Sequence, residues 1–181
     1  MDRFLEEVAA PTAAPGGGSA ACHVGALSAA LVEMCAGMAA QKGKQGAAEV
    51  VSQATALRER LARQTDLDAQ AFEAVLTAYH LPKDDPGRKQ AIGAALRGAA
   101  QSPLQVLDLL LQLSESIVRC EPFVPAGARS DWESSVIFAR AAADVAEKNV
   151  LINLDGASGA DELASELRAT RAQLDQRLPK V

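Results

Sequence analysis

Aromatic side chains are scarce: the 181 residues include only four Phe, one Tyr and one Trp. Whatever core exists must be filled by thinner groups, and Ala, Leu and Val supply them. Histidine is scarcer still, with His23 and His80 alone, and Cys22, Cys35 and Cys120 form no C-x-x-C pair. Zinc sites and disulfide frameworks therefore lack their ligands, so no metal and a reduced, cytoplasmic setting are expected. Positive charge is also in deficit. A net charge of −5 with a pI near 5.1 leaves no basic face for a nucleic-acid partner. The opening "MDRFLEEV" is too acidic for a targeting segment. Runs of β-branched residues with period-two alternation are missing, which excludes a sheet.

What fills the chain instead is helix-forming sequence such as "ALRERLARQ" and "ADELASELRATRAQLDQRL". The expected fold is all-α, a multi-helix bundle forming a single domain over residues 1–181. A first helix spans about 2–9, and after the Pro/Gly/Ala loop Ser19 is expected to cap a second that stops near "KGKQG". A third runs about 47–80 and ends at "HLPKDDPG", with Pro86 at the first position of the next helix. Pro103 is expected to split residues 86–120 into two helices. After the irregular "EPFVPAGARSD", Ser130 or Asp131 caps a helix running to about Leu154. "DGASG" breaks the chain before a last helix from Ala160 to about Leu178. Residues 20–40, "AACHVGALSAALVEMCAGMAA", have the length of a membrane span but carry His23 and Glu33 and are rich in Ala and Gly. The segment reads as a buried helix, without a membrane partner. Its small positions Ser19, Gly25, Ala29 and Gly37 suit close backbone approach, so dimerisation through this helix, to a homodimer or larger assembly, is expected.

Three features carry chemistry. At 100° per residue, Leu57, Leu61, Gln64, Asp68, Phe72, Val75 and Tyr79 share one stripe of the third helix, whereas Asp66 projects opposite. Asp68 is thus a carboxylate on an apolar face, either satisfied structurally or placed at a pocket where a raised pKa suits proton transfer. In the loop Gly16, Gly17, Gly18, Ser19, the spacing Gly16-x-Gly18-x-x-Ala21 formally matches a dinucleotide fingerprint and the glycines suggest a nucleotide P-loop, but no strand precedes for the first and no Gly-Lys-Ser/Thr follows for the second. Free backbone N–H groups at a helix start still make an anion site, the alternative being a slack linker. In "NVLIN", Asn149 and Asn153 stand at i and i+4 and point the same way, to hold a ligand or to stabilise the helix end. Lys83 in "LPKDD" is by itself a solvated loop lysine.

Taken in order, "PGGGS" at 15–19, "DAQAF" at 68–72, "AYHLPKD" at 78–84, "SD" at 130–131 and "NVLIN" at 149–153 resemble the cyclodeaminase domain of formiminotransferase-cyclodeaminase and its stand-alone relative, methenyltetrahydrofolate cyclohydrolase. The resemblance implies an all-α dimer with a folate site, no metal and no redox cofactor. It implies Asp68 as proton-transfer group and Asp131 as second carboxylate, or the two with these roles exchanged, Lys83 as an anion or leaving-group contact, and Gly16, Gly17, Gly18, Ser19, Ser130, Asn149 and Asn153 as substrate-binding positions. Arg129, Trp132 and Glu133 depart from the family pattern. As a single module the chain is expected to hydrolyse 5,10-methenyltetrahydrofolate to 10-formyltetrahydrofolate. Ammonia-releasing cyclodeamination of formiminotetrahydrofolate is the alternative, and a non-catalytic folate-binding or assembly protein is a third reading.

Overall fold

A computed structural model describes residues 2–181, and the described residues form six α-helices joined by turns. They are α1 (Asp2–Ala9), α2 (Gly17–Gln41), α3 (Ala47–Tyr79), α4 (Arg88–Cys120), α5 (Arg129–Leu154) and α6 (Ala160–Arg177), with two short 3-10 turns between α4 and α5. Helices α2 to α5 make an up-down-up-down bundle. Their antiparallel order follows from pairs along each seam: Arg119 with Glu49, Trp132 with the Ile117 carbonyl, and Ser28 with the Ser135 carbonyl. Helix α6 lies over α4 and α5, held by Arg171 between Asp144, Glu147 and Asp175.

The scarcity of aromatics is met by close packing of thin side chains. On α2, Cys22, Ala29, Val32, Cys35, Ala36 and Ala39 are buried at 2% exposure or less. Gly25 admits Leu61 and Leu110, which would stand 3.2 Å from a β-carbon there. The small residues Ser19, Gly25 and Ala29 therefore serve contacts within the chain rather than a partner's backbone. The outward face of α2 is different: Leu27, Met34 and Met38 are partly exposed, and Gly37 faces open space. Among the described residues α2 is the helix long and apolar enough to cross a membrane, and half of that stretch is buried in the bundle.

Several sequence expectations are corrected. Ser19 does not cap α2; the helix begins at Gly17 after Gly16, and Ser19 already lies in its first turn. Ser130 and Asp131 likewise lie inside the first turn of α5, which starts after Ala128. Pro86 precedes the start of α4 at Arg88, where the Asp85 side chain accepts from the Gly87 N–H at 2.7 Å and shapes the turn. Pro103 does not divide residues 88–120: α4 runs through it without a break. Tyr79, at the end of the apolar stripe, is half exposed beneath the Arg88 guanidinium.

The one tryptophan anchors the end of the bundle where α4 meets α5. Trp132 is fully buried, its indole N–H donates to the Ile117 carbonyl at 2.9 Å, and the Arg129 guanidinium lies 4.2 Å from its ring centre. Arg129 in turn pairs with Glu121 and Glu133. The departures from the family pattern at Arg129, Trp132 and Glu133 thus form one structural seal.

Candidate active site

Asp68 sits two-thirds of the way along α3, level with the first turn of α2, and that turn is built to receive it. A β-carbon on Gly18 would lie 2.6 Å from both carboxylate oxygens, so only glycine lets the helix approach so closely. The next residue completes the contact: Ser19 Oγ donates to Asp68 Oδ2 at 3.0 Å, and the Ser19 backbone N–H donates to the same carboxylate. That N–H is one of the donors that a helix start leaves without an internal partner. The anion at the positive end of α2 is therefore the protein's own, brought across from α3.

Gly16, Gly17 and Gly18 all have ordinary backbone angles, since the described glycines with positive φ are Gly43, Gly46, Gly156 and Gly159. A β-carbon at Gly17 would make only an ordinary contact with Val145 at 3.9 Å. The three glycines are accordingly unequal, and Gly18 alone is demanded by a neighbour.

The other side of Asp68 opens on a cavity of about 280 Å³ bounded by the Gly16–Gly18 segment, α3, α4 and α5. Phe72 and Ile152 supply apolar wall, and Asn149 and Asn153 supply amides. Burial outweighs both hydrogen bonds from Ser19 and holds the Asp68 carboxyl above its usual range. The group is half-buried rather than sealed in the core, so a ligand can reach it. A proton-accepting and proton-donating group facing a half-enclosed, partly apolar space is the arrangement that general acid-base chemistry needs. A second concavity of similar size, between α3 and α4, is lined by Gln53, Arg60, Gln112 and Glu115, with Arg60 bonded to Gln112.

The side-chain amides of Asn149 and Asn153 do not lie idle. Asn149 Nδ2 donates to the Val145 carbonyl at 2.8 Å, and Asn153 Nδ2 to the Asn149 carbonyl at 2.8 Å and the Ala99 carbonyl at 3.4 Å. Both residues line the cavity with Asp68, as the i, i+4 spacing suggested.

Three other positions stand apart. Asp131 and Ser130 lie at the opposite end of α5, eighteen residues before Asn149, a distance of about 27 Å at about 1.5 Å per residue. Within one chain they do not share the cavity. Lys83 is exposed in the turn between α3 and α4 and is not part of the cavity wall. Residues that sequence reasoning missed are Ala99 and Ile152, whose only sequence signal was their place on helices facing the same space.

Cys22 lies close to this site, one turn beyond Ser19 on α2. Burial, reinforced by the nearby Asp68 charge, pushes its thiol up to about 12, which makes it inert as a nucleophile near neutral pH.

The profile of formiminotransferase-cyclodeaminase matches residues 1–173. The chain belongs to that family. It is 30% identical to a methenyltetrahydrofolate cyclohydrolase from Methylorubrum extorquens, over 96% of this chain and 89% of that protein. It is 32% identical to the formimidoyltransferase-cyclodeaminase of Rattus norvegicus over 83% of this chain, but it spans only 30% of that longer protein. Its fold superposes on the crystal structure of a formiminotetrahydrofolate cyclodeaminase from Thermotoga maritima with a TM-score of 0.88 and 26% identity, covering 98% of this chain and 92% of that one.

Proposed function

We propose that this family member is a tetrahydrofolate enzyme acting on a one-carbon unit, and that its reaction is cyclodeamination of formiminotetrahydrofolate. The observation that carries the catalytic part is the Asp68 carboxyl, seated on Ser19 and facing the cavity. The choice of reaction departs from the expectation drawn from single-module length. A chain of nearly the same extent, the one from Thermotoga maritima, bears the cyclodeaminase name, so extent does not separate the two activities. The family profile and the mammalian relatives point the same way. Hydrolysis of methenyltetrahydrofolate is kept as the second reading by the relative matched over most of both chains.

One proton-shuttling carboxylate suffices for the ring closure. The substrate's N10 attacks the formimino carbon, forming the N10–C bond and placing the C=N electron pair on the imino nitrogen. The formimino group enters as its protonated amidinium, so that nitrogen already bears two hydrogens; Asp68 takes the N10 proton and returns it there, completing the ammonia leaving group. The C–N bond then breaks, ammonia leaves, and the methenyl cation remains. A carboxyl held above its usual range by burial is suited to both halves of that transfer. The amides of Asn149 and Asn153 orient the ligand, and the Gly16–Gly18 turn lets it approach the backbone.

The second carboxylate, Asp131, and its neighbour Ser130 keep their proposed roles only through a second copy of the chain. A two-fold dimer through the outward face of α2, with Leu27, Met34 and Met38, would pair α2 with its copy in antiparallel fashion. The Gly16–Gly18 end of one copy would then lie beside the Gln41 end of the other, the end where Asp131 influences Cys35. Lys83 would serve as an anion contact at the cavity's outer rim.

The deciding experiment measures ammonia release from formiminotetrahydrofolate beside loss of methenyl absorbance, corrected for spontaneous hydrolysis. Release of ammonia at a rate above the methenyl reaction supports cyclodeamination. The reverse order supports hydrolysis, and folate binding without either reaction returns the chain to a non-catalytic role.

A further inference from the structure

Pro103 lacks the N–H that would close an α-helical hydrogen bond onto the carbonyl of Ala99, four residues earlier, and a proline ring in a helix crowds the carbonyl at that spacing. The Ala99 carbonyl belongs to a residue in the cavity wall, and it accepts from Asn153 Nδ2 at 3.4 Å. The same nitrogen donates to the Asn149 carbonyl at 2.8 Å. Both hydrogens of the Asn153 amide are thereby committed to main-chain carbonyls, which can only accept. Turning the amide over would set oxygen against oxygen, so its orientation is fixed by chemistry.

The consequence is that Asn153 offers the cavity an acceptor and no donor. Asn149 is held in the same sense by the Val145 carbonyl at 2.8 Å, which leaves its oxygen free as well. Asp68 adds carboxylate oxygens from α3. Beside the one remaining Asn149 N–H and the glycine backbone, these side-chain oxygens make the α3–α5 side of the wall rich in acceptors, which favours ligand N–H groups over carboxylates there, since an acceptor facing an acceptor loses its hydration without replacement.

We propose that Pro103 is a positioning residue, which frees the Ala99 carbonyl to lock Asn153 with its oxygen toward the ligand, so that the cavity selects the N–H-rich heterocycle of a folate and not its glutamate end. The inference rests on the folate reading for the ligand, but not for the positioning. A proline that merely bends α4 would leave ligand selection untouched.

The test combines calorimetry, kinetics and NMR on the full chain. The probes are tetrahydrofolate and an analogue in which a methyl group replaces the exocyclic amino group of the heterocycle. The parent should bind tetrahydrofolate about tenfold or more tightly than the analogue, because the site's acceptors lose a partner. Pro103→Ala should reduce that preference to about twofold and raise KM about five- to tenfold with little change in kcat, as expected for one lost ligand hydrogen bond. In an Asn153→Ala background, Pro103→Ala should add no further loss. Equal binding of the two probes by the parent overturns the ligand selection even if Pro103→Ala does not fold. Failure to bind either probe removes the ligand claim together with the folate reading. The positioning claim is then read alone, from the side-chain amide resonances of Asn153: they should shift in Pro103→Ala, and unmoved resonances overturn it.

Discussion

The carboxylate of Asp68 fills the space that a β-carbon on Gly18 would require, with both oxygens 2.6 Å from that position. The two residues come from different helices, and neither identity makes sense without the other. Gly18→Ala should therefore displace the carboxylate and break its bonds to Ser19, lowering turnover about 10- to 100-fold as the proton-transfer group loses its alignment. Gly17→Ala, which meets only an ordinary contact within the protein, should leave the Asp68–Ser19 bond intact and lower turnover less than Gly18→Ala does. Equal activity in the two variants would separate the Gly18 contact from the chemistry.

Asp68→Asn keeps the shape and removes proton exchange, so turnover should fall about 10²- to 10⁴-fold while the protein still folds and binds folate. Retention of most turnover would remove Asp68 from the mechanism.

The same variant has a pH signature. Burial raises the Asp68 pKa above its usual 3.8, so the folded state holds this proton more tightly than the unfolded state does. The resulting stabilisation is complete below the unfolded value and is lost as pH rises through the folded one. At pH 7 the ionised carboxylate is thus a cost that Asn does not carry. Urea unfolding should find Asp68→Asn at least as stable as the parent at pH 7, with the relative advantage shrinking toward pH 4. A parent whose advantage over Asn grows with pH would show that the Ser19 hydrogen bonds outweigh burial.

Much of this was legible in the sequence, and the failures have definite physical causes. Helix ends were visible wherever Gly and Pro clusters left the backbone no helical option, as at 42–46 and 155–159. Asp68 was visible because a charge on an apolar stripe breaks the 3.6-residue pattern. Pro103 misled because a proline inside a helix costs less when the freed carbonyl finds another donor, and that donor, Asn153, lies fifty residues away. Ser19 misled because its hydroxyl is spent on Asp68 in place of its own helix. The separation of Asp131 from Asp68 could not be read at all, since it follows from the antiparallel course of α5.

Trp132 should matter for stability and not for chemistry. Trp132→Phe loses the hydrogen bond to Ile117 and leaves a small void, a cost of about 1 to 3 kcal/mol by denaturant titration. Activity per folded molecule should stay near the parent's, which a coupled assay of the refolded fraction checks.

Met34→Glu places a charge on the outward face of α2, where a second copy is proposed to pack. Sedimentation should show a shift toward monomer, with circular dichroism unchanged. Mixing Asp68→Asn with Asp131→Asn should then restore part of the activity lost by each, because a mixed dimer carries one intact site. A parent that is monomeric at micromolar concentration, or a mixture with no recovery, would confine the chemistry to Asp68.

The Trp132 seal and the Asp68 cavity stand at opposite ends of the same four helices. Within one copy, rigidity and the Asp68 proton-transfer group are thereby allotted to separate addresses. One end can drift in sequence as long as it stays tight, while the other can be retuned for a different one-carbon group without loosening the scaffold. A family that divides its members between two reactions on one architecture has the kind of frame that such a division of labour permits.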